Sequence, residues 1–221
     1  MIKPHPKARL YINVPLNDGK IITLASDQMH YLLHVLRLGV GAPIAVFNGV
    51  DGEYLATIIE AVKKRCAISI KVRLRPQIQC RDLWLLFAPV KKARLDFIAQ
   101  KASELGVRVI WPVKTDFCQI SRVNDDRLGA NAIEAAEQTE RLDIAETKPF
   151  SSLLTALRHF ENERLLIWCD EASVGHPALN ISTALATAPP HEKAALLIGP
   201  EGGFSESERT RLQSRINCLK I

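Results

Sequence analysis

Short runs in which apolar residues predominate fill the first third of the chain. They are RLYINV, KIITLA, PIAVFNG, EYLATII and CAISIKVRL, between residues 9 and 74. Turn signals rich in asparagine, aspartate and glycine separate them at residues 17–19 and 48–52. One helix is predicted over Asp27–Leu38, with Ser26 as its N-cap and Gly39 just past its end. This pattern predicts a small, mostly antiparallel β-barrel over residues 1–75.

A different pattern begins beyond a predicted linker at residues 76–81, where Pro76 stands among polar residues. Buried strands are predicted at LWLLFAPV, VRVIWPV, RLLIWCD, AALLIG and INCLKI. Helices are predicted over residues 91–105, 125–140, 151–160 and 206–214. Because apolar strands that alternate with helices are typical of parallel sheets covered on both faces, we expect an α/β domain over residues 82–221.

The charge of the chain is unevenly distributed. Residues 1–75 contain eleven lysines and arginines and five acidic residues, which give a net charge of +6. Residues 76–221 contain eighteen lysines and arginines and nineteen acidic residues, which give a net charge of −1. A basic block beside a nearly neutral one indicates a module that binds a polyanion, most commonly nucleic acid. Arg9 and Arg37 are its candidate phosphate ligands. An inert basic surface is the alternative.

The helix predicted over residues 91–105 carries further cations. Its apolar face is formed by Leu95, Ile98, Ala102 and Leu105. Four basic residues border that face and could extend the RNA-binding track into the second domain: Lys91, Lys92, Arg94 and Lys101. An ordinary solvated helix face is the alternative.

Several classes of protein are disfavoured. The five cysteines are scattered and form no C-x-x-C pair, so neither a disulfide framework nor a zinc site is indicated. His30 and His34 have no third ligand nearby in sequence, and we expect packing or RNA contact rather than metal binding. The first ten residues lack the apolar core of a signal peptide, and the apolar runs are too short to span a bilayer. We expect a cytoplasmic protein that uses no metal and no membrane.

A glycine-rich turn, Gly199-Pro200-Glu201-Gly202-Gly203, follows the strand AALLI and precedes a predicted capping box of Ser205 and Glu208. The turn lacks the lysine of a P-loop, and Glu201 would repel an anion, so a neutral or cationic ligand is favoured. S-adenosylmethionine has this chemistry, whereas an ordinary tight turn is the alternative. The candidate cofactor ligands are Leu197, Gly199, Pro200, Glu201, Gly202 and Gly203.

Ordered motifs across nearly the whole chain resemble one known family. They are RLYI, HYLLHVLRL and FNGVDGEYLATI in the first third, and KASELGV, AAEQTER and LLIGPEGGFSESE in the remainder. Together they resemble the bacterial small-subunit rRNA uridine N3-methyltransferases of the SPOUT superfamily. The resemblance implies a PUA-like RNA-binding barrel followed by a trefoil-knotted α/β domain that dimerises. It also implies S-adenosylmethionine bound in the knot, and methylation of N3 of one uridine in 16S ribosomal RNA or the assembled small subunit.

Methylation at N3 of uridine requires removal of the N3 proton. The motif AAEQTER places Glu137, Gln138 and Arg141 on one predicted helix, with Glu137 and Arg141 as i, i+4 neighbours. Glu137 or Glu201 could accept the proton, Gln138 could pair with the uracil edge, and Arg141 could stabilise charge on the carbonyl oxygens. A structural salt bridge between Glu137 and Arg141 is the alternative.

One departure from the family concerns the last strand. Family members continue past it into a second glycine-containing loop, roughly LGPRILR, whereas this sequence stops at INCLKI. We expect either a longer natural chain or the loss of half the cofactor site, and an empty site in a chain that ends at Ile221. Two other functions stay open: methylation of a tRNA guanosine or a ribose 2′-hydroxyl, and RNA binding without catalysis.

Overall fold

The chain folds into two compact units. The computed structural model describes residues 5–171, 181–188 and 191–221. The first unit contains the residues up to Gln79 together with Ala136–Ile144, and the second contains Cys80–Ala135 and Ala145–Ile221. The sequence pattern, which assigned residues 82–221 to one domain, gave no sign that residues 136–144 pack with the first unit.

Five strands form the sheet of the first unit. They are β1 (Arg9–Tyr11), β2 (Ile21–Thr23), β3 (Pro43–Phe47), β4 (Glu53–Val62) and β5 (Arg65–Arg75). Their order is β1-β3-β4-β5-β2, in which β1 pairs with β3 in parallel and the other neighbours are antiparallel. The core contains fully buried aliphatic side chains such as Leu32, Ile44, Ile58, Ile68 and Ile70. The small, mostly antiparallel β-module predicted from the sequence is confirmed.

The predicted helix over Asp27–Leu38 is wrong in its extent. Helix α1 covers Ser26–His30 with Ala25 as N-cap, and a π-helical turn follows over Tyr31–Val35. Its wider turn is visible in the bond from the Leu36 N–H to the Tyr31 carbonyl, at 2.9 Å. Arg37 then adopts a left-handed conformation with φ of 54°, which ends the helical path before Leu38.

The second unit is built on a parallel sheet. Its strands are β6 (Asp82–Phe87), β7 (Val109–Lys114), β8 (Glu146–Thr147), β9 (Ser151–Ser152), β10 (Leu165–Cys169), β11 (Lys193–Ile198) and β12 (Cys218–Lys220). The order is β12-β10-β11-β6-β7-β8, with β9 also paired to β7, and every pair described in this sheet is parallel. The α/β domain predicted from the sequence is confirmed, whereas its trefoil knot stays a prediction.

Five helices of the described residues accompany this sheet: α2 (Lys92–Glu104), α3 (Asp125–Gln138), α4 (Leu153–Arg158), α5 (Ile181–Thr187) and α6 (Glu206–Gln213). Successive residues of β6 and β7 are buried, which shows that both sheet faces are covered. On one face, α4 and α6 pack side chains such as Leu157 and Leu212 into a cluster with Trp168 and Leu197. No helix among the described residues is long and apolar enough to cross a bilayer.

Candidate functional site

An open cleft of about 740 Å³ lies in the second unit, where the loops after β6, β7 and β11 meet. These strands are parallel neighbours, so their carboxyl ends share one edge of the sheet, the usual place for a ligand in this architecture. The volume is within the range of small-molecule and nucleotide sites. The lining residues are Pro89, Val90, Lys91, Arg94, Phe117, Gln119, Ile120, Pro200, Glu201 and Gly202.

The three glycines of the turn after β11 face three different side chains of the protein itself. A Cβ on Gly199 would lie 2.7 Å from the Phe204 ring, and one on Gly203 would lie 2.7 Å from the Glu171 carboxylate. Gly203 also has φ of +68°, which disfavours any other residue. A Cβ on Gly202 would meet Phe117 at an ordinary 3.5 Å, beside the cleft. Close packing against the Phe204 ring therefore requires glycine at position 199, the positive φ requires it at position 203, and a Cβ at position 202 would be accommodated.

The predicted capping box is confirmed, and it also fixes the loop after β7. Ser205 and Glu208 exchange the two reciprocal bonds at the start of α6. Glu208, only 8% exposed, additionally accepts the Asp116 N–H at 2.9 Å, and the Ser205 hydroxyl donates to Asp116 at 2.5 Å. The loops on either side of the cleft are thus joined through Glu208 and Asp116.

The match with known families follows this geometry. Residues 77–221 match a family described as the RNA methyltransferase domain, and residues 24–71 match the RNA methyltransferase PUA domain. The chain belongs to this RNA methyltransferase family. The Ribosomal RNA small subunit methyltransferase E of Rickettsia conorii is 34% identical over 217 residues, which are 96% of this chain and 86% of the relative. That of Bacillus subtilis is 22% identical over 218 residues, 92% and 83% of the two chains.

Solved structures have the same fold. The Ribosomal RNA small subunit methyltransferase E from Neisseria gonorrhoeae, bound to S-adenosyl methionine, superposes with a TM-score of 0.84 at 23% identity, covering 98% of this chain and 89% of its own. A Legionella pneumophila protein in complex with the bound cofactor SAM has a TM-score of 0.78 at 26% identity, covering 97% and 88%. The family expected from the sequence motifs is confirmed at the level of RNA methyltransferases.

Only some of the four basic residues predicted to bind RNA in the second unit of this methyltransferase lie at the cleft. Lys91 and Arg94 line it, and both are exposed. Arg94 also lies 3.7 Å from the exposed Glu201 carboxylate. Lys101 instead pairs with Glu104 at 2.6 Å and does not line the cleft. The side chain of Lys92 lies outside the part of the chain that the structure describes.

The predicted cofactor residues differ in which of their groups can reach a ligand in the cleft. Pro200, Glu201 and Gly202 line the cleft. Leu197 is fully buried in the hydrophobic cluster, so only its backbone could reach a ligand. Gly199 is half-buried, and Gly203 is buried.

The side chain of Arg9 is enclosed by other residues of the first unit. Its side chain is 11% exposed, its Nε donates to Glu53 at 2.5 Å, and its guanidinium carbon lies 3.7 Å from the centre of the Phe47 ring. The same guanidinium donates to the carbonyls of Ala136, at 2.6 Å, and Arg141. The structure therefore gives Arg9 the role of joining β1 to residues 136–144, and direct contact of Arg9 with RNA stays a prediction.

Glu53 lies at the centre of this cluster, between Arg9 and Arg75. Arg75 donates to both of its carboxylate oxygens, at 2.8 and 2.9 Å. Burial alone would raise the pKa of Glu53, but the hydrogen bonds from Arg75 and Arg9 hold that pKa below its ordinary value. The buried carboxylate is fully charged at neutral pH and matched by two guanidinium groups.

The catalytic trio predicted on one helix is not on one helix. Helix α3 ends at Gln138, and Glu140 has φ of 59°, so Arg141 lies beyond the last turn. Arg141 pairs with Asp143 at 2.7 Å, and its side chain is 9% exposed. The Glu137 carboxylate accepts the Tyr11 N–H at 2.8 Å, whereas Gln138 is exposed. The i, i+4 geometry assumed for Glu137 and Arg141 is wrong, because the helix stops too early.

Other predicted residues lie on the surface of the first unit. Arg37 is exposed. The rings of His30 and His34 are 5.2 Å apart between centroids. Within residues 5–171, 181–188 and 191–221, no three His, Cys, Asp or Glu side chains are grouped in a way that could hold a metal ion.

Sequence reasoning missed several residues of the cleft and its walls, and three of them are Asp116, Phe117 and Gln119. Phe117 and Gln119 line it directly, and Asp116 connects its loops. All three follow β7 at its carboxyl end, in the segment TDFCQI. Because ligands of parallel α/β sheets bind at the carboxyl ends of the strands, the position of these residues directly after β7 was the available signal.

Proposed function

We propose that this protein methylates N3 of a uridine in 16S ribosomal RNA with S-adenosylmethionine as methyl donor. The observation that carries the proposal is the cleft at the carboxyl ends of β11, β6 and β7, where a glycine turn faces two cations and an aromatic ring. The names of the relatives and the bound cofactor of two structural neighbours supply the reaction class. The N3 position comes from the motif resemblance alone.

The turn at residues 199–203 is compatible with such a cofactor. S-adenosylmethionine supplies an electrophilic methyl group on a positively charged sulfur. The exposed Gly202 leaves room beside the cleft that a Cβ would narrow, and the Glu201 carboxylate, 89% exposed, provides a negative charge next to it. Leu197 and Gly199 could contribute backbone groups only. These residues form our proposed cofactor site, and no metal takes part.

The N3 proton needs an acceptor, and Glu201 is the better candidate of the two glutamates. Its carboxylate lines the cleft, whereas that of Glu137 already accepts the Tyr11 N–H. As the methyl carbon bonds to N3, its bond to the sulfonium sulfur would break and release S-adenosylhomocysteine, and Glu201 would take the N3 proton. Arg94, 3.7 Å from Glu201, would stabilise negative charge on the uracil oxygens. Direct roles for Gln138 and Arg141 stay predictions.

RNA binding would use exposed cations in both units. Lys91 and Arg94 stand at the cleft, and Arg37 belongs to the basic first unit. Such contacts position a phosphate backbone without reading sequence, so affinity should fall steeply with salt. A homodimer and a cytoplasmic location are further predictions.

The proposal is tested with small ribosomal subunits that lack the modification. The purified chain is incubated with them and tritiated S-adenosylmethionine, and the RNA is then analysed by primer extension. A methyl group on N3 blocks base pairing, so reverse transcription should stop at one uridine of 16S RNA. Label on a guanosine, on a ribose or on tRNA would replace this function with another methyl transfer. RNA binding without label would favour the non-catalytic alternative.

A further inference from the structure

Phe117 is an exposed aromatic residue on a loop that is otherwise well anchored. Its side chain is 51% exposed, yet its two neighbours are fixed. The Asp116 N–H donates to the buried Glu208, and Cys118 is buried with its sulfur 3.9 Å from the Pro89 carbonyl. A fixed loop thus presents a half-exposed aromatic ring at the wall of the cleft.

The surroundings of the ring have the chemistry of a nucleotide. Lys91 and Arg94 offer positive charge to a phosphate, and the exposed Gln119 offers an amide that can pair with a base edge. Phe117 itself offers a flat apolar face, on which a nucleobase can stack. Lys91 and Arg94 would attract a phosphate rather than a sulfonium, so their side of the cleft fits the substrate, whereas the turn at residues 199–203 stays the proposed cofactor side.

A second cavity of about 410 Å³ adjoins the cleft, and Val90 and Ile120 line both. Its rim carries Arg122 and Asn124, and Arg122 is exposed. A single RNA strand can cross two adjoining cavities of this kind, with one phosphate near the cations of the cleft and a neighbouring phosphate near Arg122.

We propose that the cleft binds one unstacked base of single-stranded RNA on the ring of Phe117, and that Arg122 binds the phosphate of a neighbouring nucleotide. The inference rests on the proposed function and specifies how its substrate is held. A base in a folded RNA must leave its stack before an enzyme can reach it. Phe117 replaces part of the stacking energy that the base gives up.

Fluorescence anisotropy of the full chain with a labelled single-stranded oligouridylate tests both residues at several salt concentrations. Phe117→Ala should weaken binding about tenfold with an unchanged salt slope, because stacking involves no ion release. Phe117→Tyr keeps the ring and should bind like the natural protein. Arg122→Ala should flatten the salt slope. Equal affinities for Phe117→Ala and the natural protein would overturn the inference.

A direct reporter comes from Phe117→Trp, since stacking with a base quenches indole fluorescence. We expect saturable quenching by the oligouridylate in this variant and much less in the natural protein, whose Trp111 and Trp168 are buried and whose Trp84 packs against the core cluster. Calorimetry with S-adenosylmethionine should give the same affinity for Phe117→Ala and the natural protein. If Phe117→Ala weakens that affinity instead of RNA binding, the ring belongs to the cofactor site and our inference is wrong.

The two proposals fail in different ways. If the natural chain transfers no methyl group to small subunits, the proposed function fails whatever Phe117 does. If the natural chain methylates one uridine and Phe117→Ala does so with unchanged KM and kcat, the function stands and the stacking role is overturned. Thermal unfolding of Phe117→Ala should match that of the natural protein, because the side chain is half exposed.

Discussion

The Glu137 carboxylate accepts the backbone N–H of Tyr11 at 2.8 Å. Tyr11 ends β1, which lies at the edge of its sheet, so this bond gives an acceptor to an N–H on that edge strand. Arg9, two residues earlier, donates to the carbonyls of Ala136 and Arg141. The segment AAEQTER is therefore hydrogen-bonded to β1 through its own backbone carbonyls and through the Glu137 carboxylate.

Glu137→Ala should lower the free energy of unfolding by about 1–2 kcal/mol, because the Tyr11 N–H loses its acceptor. Glu137→Gln keeps an oxygen at that position and should retain most of the stability. Urea unfolding of both variants checks this, with Glu134→Ala, an exposed residue on the same helix, as control. Full stability of Glu137→Ala would show that the bond contributes nothing.

Because of Glu53, the free energy of unfolding of the first unit should decrease at acid pH. Its pKa is held below the ordinary value of 4.5 by Arg75 and Arg9, so its contribution is complete above that value and is lost as pH falls through the lower folded pKa. Glu53→Gln should therefore cost about 3 kcal/mol at neutral pH and less in acid.

Urea unfolding at about pH 7 and about pH 3.5 gives the comparison for Glu53→Gln. The matched control is Glu60→Gln on the same strand, since Glu60 pairs with Arg65 at the surface and should contribute less than about 1 kcal/mol. A destabilisation by Glu53→Gln that is the same at both pH values would contradict the assignment of the effect to its charge.

Arg9→Ala should change the stability of the protein, whereas Arg37→Ala should change its RNA binding. Arg9→Ala removes a partner of the buried Glu53 and should destabilise the protein by about 3 kcal/mol. Arg37→Ala should leave stability nearly unchanged and reduce the salt dependence of RNA binding by about one phosphate contact. Thermal unfolding and salt-dependent anisotropy separate the two. A lower salt slope for a stably folded Arg9→Ala would restore Arg9 as a phosphate ligand.

The sequence predicted the fold well because buried parallel strands are continuous apolar runs. The strand predictions around Leu85, Ile110, Ile167 and Leu197 all fall on the observed sheet. Local backbone conformation was less predictable. The left-handed Arg37 and Glu140 each end a helical segment without a glycine at that position, and the predicted helices included both.

Charge counting identified a basic first third but could not separate a buried guanidinium from an exposed one. Arg9 and Arg37 look equivalent in the sequence, and only tertiary packing against Glu53 and Phe47 distinguishes them. Phe117 was missed for a related reason. A single exposed aromatic residue has no periodicity, and its role depends on loops that come together only in the folded chain.

The three glycines of the turn after β11 should respond differently to alanine. Gly199→Ala brings a methyl group to 2.7 Å from the buried Phe204 ring and should cost about 1–3 kcal/mol. Gly203→Ala has an unfavourable φ and should cost about 1–2 kcal/mol. Gly202→Ala makes only ordinary contact and should fold normally while slowing methyl transfer. Thermal unfolding and turnover measured together check this, and unaltered turnover in Gly202→Ala would remove Gly202 from the proposed site.

Glu201→Gln should fold like the natural protein, because the carboxylate is 89% exposed, yet transfer methyl groups about 100-fold more slowly. Its rate should rise more steeply with pH than that of the natural protein, since hydroxide replaces the missing proton acceptor. Glu206→Gln, an exposed residue in the first turn of α6, is the matched control and should be fully active. Single-turnover rates on small subunits across alkaline pH provide the measurement. If Glu201→Gln is active and a stably folded Glu137→Gln is not, the proton acceptor is Glu137, and the bond from Tyr11 orients its carboxylate for that task.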